Sequence, residues 1–240
     1  NVGLQEALHL TGVTFQNINL DFLPHFLTGL KTVFPIYAVV FTVGGIWEVL
    51  FAVTRGHEIN EGFLVTGFLI PLVLPPAIPL WMVAVATTFG VVIGKEIFGG
   101  TGFNIFNPAL VARAFLFFAY PASMSGDKVW TVDAMSGATP LLEVSSQQGI
   151  SATALLSGHF TWEQMFYGFI PGSIGETSTV AILIGAAILI ITGIASWRVM
   201  LATTIGMALT AFMLDSFGAA IGSTNPMLYL PPTYHFVMGG

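Results

Sequence analysis

A hydroxyl acceptor, two small neighbours and a carboxylate stand at fixed spacing in Asp133-Ala134-Met135-Ser136-Gly137-Ala138-Thr139. Thr139 offers an oxygen nucleophile. Gly137 and Ala138 leave the backbone slim enough to enter another enzyme's active site. Asp133 can position a donor or its magnesium ion, a hard cation that takes oxygen ligands. The pattern Asp-x-x-Ser-Gly-Ala-Thr is the acceptor sequence at which a flavin transferase joins the phosphate of FMN to threonine, releasing AMP from FAD. With Ser136 included, five fixed positions give a chance match in roughly one sequence in a thousand or fewer. The plain alternative is a small-residue loop without chemistry.

Other residues suit ligand or ion handling. Gly172-Ser173-Ile174-Gly175-Glu176-Thr177 leads into the apolar run 178–196. Backbone N–H groups at a helix start suit an anion or a flavin edge, which marks Gly172, Gly175 and Glu176 as FMN contacts; the other reading is a loop with an ordinary N-cap. Gly44-Gly45 weakens a helix and implies close approach of a ligand or of another helix. Glu48 and Asp215 are the acids expected well inside apolar spans, where carboxylates are expensive and default to functional candidates, here for sodium or proton handling. For Asp215 the alternative is a position near a helix end that reaches water. His9, His25, His57, His159 and His235 form no ligand spacing, so neither haem nor a metal is expected.

Composition sets what must hold these residues in place. Of 240 residues, 55% are hydrophobic and 8% are charged, with a mean hydropathy of +0.85. Soluble domains carry about 25% charged residues, and a lipid-facing surface needs none. The chain is therefore expected to be an all-α integral membrane protein. A net charge of −6 leaves nothing to neutralise a run of phosphates, which argues against nucleic acid. The absence of cysteine excludes disulfides, thiolate metal sites and cysteine-ligated clusters within this chain. The start at Asn1, and an apolar stretch opening just before Gly240, read as the middle of a longer protein.

Four regions follow. Residues 1–30 are amphipathic and extramembrane or interfacial. Residues 31–120 form a first membrane region, with a span over 32–54 and short apolar pieces over 63–76 and 79–94, divided by Pro75, Pro76 and Pro79. Stretches of about 10–14 apolar residues are too short to span and read as re-entrant or buried. Asn107 is a good N-cap with Pro108 at the first helical position, so a helix should run from there to about Tyr120. Residues 121–177 are a polar excursion carrying the acceptor motif. Residues 178–240 hold two further spans, 178–196 and 199–221, joined at Trp197-Arg198. Broken helices of this kind place their dipole ends at a midplane site and are compatible with an inverted repeat; prolines that merely kink ordinary spans are the other reading. Counting crossings puts Arg55, Lys95 and Arg198 on one side and the 121–165 loop on the other. The positive-inside rule then places that loop outside the cytoplasm.

Several strings carry a family resemblance: Gly94-Lys95-Glu96, Phe98-Gly99-Gly100-Thr101-Gly102, Asn107-Pro108-Ala109-Leu110 and Arg113-Ala114-Phe115-Leu116-Phe117-Phe118-Ala119-Tyr120-Pro121. Ser125-Gly126-Asp127, the acceptor motif and the Pro171–Ser178 segment continue it. The chain closely resembles the B-subunit family of sodium-translocating NADH:quinone reductases. The D subunit of the related Rnf complex shares the acceptor and Gly-x-Ile-Gly-Glu motifs. The resemblance implies a bacterial inner-membrane redox subunit working with the other subunits of its complex, with covalent FMN at Thr139 facing the periplasm. It further implies riboflavin near Asn104 and Asn107, and ubiquinone near Gly44, Gly45 and Glu48. Electrons would enter from a partner's iron–sulfur or flavin centre and leave to ubiquinone, coupled to sodium transport. A passive channel is the reading from a different class, and only the acceptor motif and the family strings stand against it.

Overall fold

A computed structural model of the chain describes residues 22–56, 58–124, 160–170, 172–175 and 177–238, together with 140 and 144–145. The acceptor motif Asp133–Thr139, and with it Ser136, Gly137 and Ala138, lies outside the described residues, as does Glu176. Among the described residues the ordered elements are helical, with no strand. Two compact units divide the chain, one holding residues 20–137 with Ser173–Gly175, the other 138–172 and 176–240.

In the first unit, α1 runs Phe22–Arg55, α2 Gly62–Leu72, α3 Leu80–Val92 and α4 Pro108–Ala119, followed by the single turn α5, Pro121–Met124. At about 1.5 Å per residue, α2 and α4 are roughly 17–18 Å long, little more than half of a ~30 Å hydrocarbon core. The expected short helices are present. The segment 79–94 needs correction, however. Beyond α3 the chain turns through a 3-10 helix at Glu96–Phe98, and Leu80–Phe98 makes 19 residues with a mean hydropathy of 1.5, long enough to cross. An apolar run stops this piece too early because it ends at Lys95 and Glu96, which are polar but buried.

Close approach between these helices depends on missing side chains. A Cβ on Gly90 would sit 2.6 Å from the Pro108 carbonyl and 2.8 Å from the Ala112 Cβ, so α3 and α4 touch nearly backbone to backbone. On α1, a Cβ on Gly44 would lie 2.5 Å from the Phe63 ring of α2. The buried core then gathers Ile36 and Val40 of α1, Ile70 of α2, Leu74 and Ile78 of the connection, Val83 and Ala86 of α3, and Ala109, Ala112 and Leu116 of α4. The open end of α2 is closed by an unexpected segment. Ile174 N–H donates to the Leu74 carbonyl at 3.1 Å and Gly175 N–H to the Leu72 carbonyl at 2.8 Å. Those carbonyls have no helical partner, and backbone left unpaired at membrane depth is costly.

The second unit contains α6 (Trp162–Tyr167), α7 (Thr179–Ile191), α8 (Trp197–Ile221), a 3-10 turn at Pro226–Tyr229 and α9 (Pro232–His235). Val144, Phe160, Met165, Ile170, Leu230, Val237 and Met238 form its core. The boundary expected between its two spans is corrected here. α7 stops at Ile191, where the Thr192 hydroxyl bonds back to the Ile188 carbonyl at 2.8 Å and Gly193 takes φ 73°. Thr192–Ser196 form the connection, and Trp197-Arg198 begin α8 rather than a turn. The apolar composition continued past the true stop, so hydropathy alone overran it. With 13 residues, α7 is another short helix, while α8 is long enough to span. These helices and their long apolar faces make the chain a multi-span membrane protein.

Candidate functional site

Both half-helices α2 and α4 begin at one cavity. It has a volume of about 300 Å³ and is lined by Gly62, Thr66, Lys95, Thr101, Asn104 and Asn107, with Val65, Leu69, Ile105, Phe106 and Pro108 supplying the apolar part. That volume lies at the lower end of the ~300–1,000 Å³ common for ligand sites. Helix starts present unpaired N–H groups and partial positive charge, and here two of them share one space whose wall includes the Lys95 side chain.

The backbone reaching this cavity is set by glycine. Between the 3-10 turn and α4 the chain reverses with Gly99, Gly100 and Gly102 at φ 120°, 90° and 92°, conformations that L side chains rarely adopt. The reversal delivers Asn104 and Asn107 to the cavity wall. Asn107 Oδ1 accepts from Ala109 N–H at 2.9 Å, so the expected cap is present. Asn104 Nδ2 donates to the Phe106 carbonyl at 2.9 Å. Each amide therefore keeps one polar end unused by these bonds, a donor at Asn107 and an acceptor at Asn104. Thr101 Oγ1 is buried with no hydrogen-bond partner. An unpaired buried hydroxyl is costly, and a polar ligand in the cavity would relieve it. Asn107→Ala should cost about 1 kcal/mol of helix stability, read as a lower unfolding midpoint in detergent; Asn107→Ser, which keeps the cap, should recover most of it.

Below the cavity runs a chain of alternating charges. Lys95 is the largest fully buried side chain among the described residues and donates to Glu48 Oε1 of α1. Its Nζ lies 3.7 Å from Glu96 Oε1, and Glu96 Oε2 meets Arg55 Nη1 at 2.9 Å. Arg55 Nη2 donates to the Glu96 carbonyl. Arg55 is 32% exposed, whereas Glu96, Lys95 and Glu48 are buried at 2%, 2% and 5%. Two acids and two bases sum to zero. Such pairs are costly to bury and more costly to break.

The sequence-predicted residues separate into groups. Asn104 and Asn107 come together in the cavity wall, and Glu48 joins it indirectly through Lys95. Gly44 and Gly45 lie on α1, where Gly44 faces the Phe63 ring and a Cβ on Gly45 would have that ring at 4.0 Å. The close approach inferred from this pair is to α2. Gly175 sits against Leu72, where a Cβ would be 2.8 Å from the Leu72 Cβ; Gly172 is described in the other unit, and Ser178 rather than the loop caps α7. Asp215 is exposed on α8, six residues before its end. Sequence reasoning missed Lys95, Glu96, Thr66 and Thr101. The string Gly94-Lys95-Glu96 was visible, but its lysine read as a marker of membrane side.

A family model described as the NQR2, RnfD, RnfE family matches residues 9–240. The chain is 58% identical over 217 residues to a protein of Chromohalobacter salexigens, covering 90% of this chain and 51% of that one. A Yersinia pestis relative is 55% identical over 216 residues, covering 89% and 52%. One from Klebsiella pneumoniae is 51% identical over 231 residues, covering 95% and 55%. Each of the three is named as the B subunit of a Na(+)-translocating NADH-quinone reductase. The chain spans about half the length of the curated relatives it matches.

Proposed function

The chain belongs to the NQR2, RnfD, RnfE family, and from that premise we propose that it is a redox subunit of a sodium-translocating NADH:ubiquinone reductase. In this reading it sits in a bacterial inner membrane among the complex's other subunits. It carries FMN covalently on Thr139, in a periplasmic loop, and riboflavin in the cavity at the starts of α2 and α4. Ubiquinone is assigned to the α1 region around Gly44, Gly45 and Glu48, and ion handling to Glu48 and Asp215.

The observation that carries the flavin reading is the cavity. Asn104 and Asn107 each offer one unused amide end, Thr101 an unpaired hydroxyl, and Lys95 a cation. An isoalloxazine edge presents both donors and acceptors, which amide side chains can match. A flavin bound there would supply the electron chemistry. The protein's own contribution is to hold the ring by its polar edge, keep water out with Val65, Leu69, Ile105 and Phe106, and set the local potential with Lys95 and two helix starts. At Thr139 the acceptor sequence supplies the hydroxyl, while Asp133, Ser136, Gly137 and Ala138 form the substrate of a flavin transferase. Gly172, Gly175 and Glu176 are assigned to the covalent flavin's surroundings.

Two variants separate the flavins, each co-expressed with an active flavin transferase in the full-length complex. Thr139→Val should abolish in-gel flavin fluorescence of the denatured chain and its added mass of one FMN, leaving acid-released flavin unchanged. Thr66→Trp, which fills the cavity, should do the reverse. A dark, unmodified wild-type chain sinks the Thr139 assignment; acid-released flavin that survives Thr66→Trp sinks the cavity assignment.

A further inference from the structure

We propose that Lys95 is a movable cation that plugs a sodium site at Glu48 until added negative charge in the cavity draws it away. The proposal rests on the flavin reading of the cavity and adds a coupling device to it.

Three observations converge on Lys95. It lines the cavity while its ammonium is bonded to Glu48, which does not line it, so one flexible side chain touches both places. Glu96, its other acid, is already held by Arg55 at 2.9 Å, and Lys95 can leave it without stranding a charge. Glu48 has no such reserve: Lys95 is the one ion-pair partner it shows among the described residues.

The charge count then forces a consequence. With Glu48, Lys95, Glu96 and Arg55 the chain is neutral. One electron delivered to the cavity by a one-electron donor makes the region −1. Lys95 turns toward that charge, and the carboxylate of Glu48 is left buried and unpaired, a state that costs several kcal/mol. One sodium ion entering at Glu48 restores neutrality, so one electron is matched by one monovalent cation. Removal of the electron reverses both moves: Lys95 returns and expels the ion.

A second buried oxygen faces α1 one turn before that carboxylate. Thr87 of α3 is fully buried, and its Oγ1 has no hydrogen-bond partner. Its methyl lies 3.3 Å from where a Gly44 Cβ would be, and Gly44 precedes Glu48 by one turn on the same face of α1. Carboxylate and hydroxyl oxygens are ligands a hard cation accepts.

The test is the midpoint potential of the non-covalent flavin in the purified complex, titrated with dithionite in sodium and in choline media. Sodium should raise the wild-type potential, because an ion on Glu48 frees Lys95 for the cavity. Lys95→Gln should lower it in both media by at least tenfold in the reduction equilibrium, about 59 mV for one electron. Glu48→Gln should shift it the other way, raising the choline value to the wild-type sodium value. A fixed salt bridge would also move the two potentials in opposite directions by Coulomb's law, but it would leave the wild-type potential indifferent to sodium. Equal or same-sign shifts overturn the proposal, as does a wild-type flavin indifferent to sodium. If Lys95→Gln does not assemble, loss of the sodium effect in Glu48→Gln decides alone. A wild-type complex that releases no second flavin overturns the flavin reading and the plug together, which distinguishes that failure from the others.

Discussion

Lys95→Met is expected to lower stability by about 3–5 kcal/mol, while Lys95→Met combined with Glu48→Leu should regain most of the loss. The asymmetry follows from the charge chain. After the single substitution Glu96 still has Arg55 at 2.9 Å, but Glu48, 5% exposed in α1, has lost its ion-pair partner. Removing one member of a buried pair leaves an uncompensated charge, whereas replacing both by apolar groups is often neutral or better. Unfolding in detergent, followed by helical circular dichroism, gives the two midpoints. Equal losses in the single and double variants would show that the pair itself, rather than the stranded carboxylate, sets the cost.

A second large effect is expected at the α3–α4 contact. Gly90→Leu must place carbon where the Pro108 carbonyl already lies 2.6 Å away, and a backbone atom cannot swing aside as a side chain can. Overpacking of this kind typically costs about 1–3 kcal/mol, occasionally more. The damage should not stay local. Pro108 also borders the cavity, so displacing the start of α4 should release non-covalent flavin along with the loss of stability. Gly185→Leu is the matched comparison. A Cβ there meets nothing within 4 Å, and the change should fall within about ±0.5 kcal/mol with flavin retained. Similar losses at both positions would mean that contact distance does not govern these glycines, since leucine is the better helix former.

Much of this arrangement was legible in the sequence, for reasons that differ from residue to residue. Asn107 and Pro108 announced the start of α4 because capping is local: donor, acceptor and fixed φ lie within three residues. The brevity of α2 and α4 followed from prolines and glycines that interrupt apolar runs. Glu48 stood out because a carboxylate inside an apolar span has few innocent explanations. Its partner did not stand out. Lys95 is 47 positions away, and nothing local tells a buried lysine from one that flanks a membrane. The Gly44-Gly45 pair told of close approach but not of what approaches, and Phe63 provides the answer within this unit. Pairing of Ile174 and Gly175 with the end of α2 joins segments a hundred residues apart. Such backbone bonds leave no trace in residue type beyond the small glycine.

The separation of Glu48 and Lys95 also bears on how the protein is made. A ribosome emits α1, acid included, and must synthesise 47 more residues before the neutralising ammonium exists. Translocon scales put an acid or a base at a helix centre at about +2.5 to +3.5 kcal/mol. The apolar length of α1, with an 18-residue window of mean hydropathy 2.0 inside Phe26–Arg55, offsets that cost. Lys95, just before the 3-10 turn, then arrives in a membrane that already holds its counter-ion, and the newborn segment is fastened late by the charge that was inserted early.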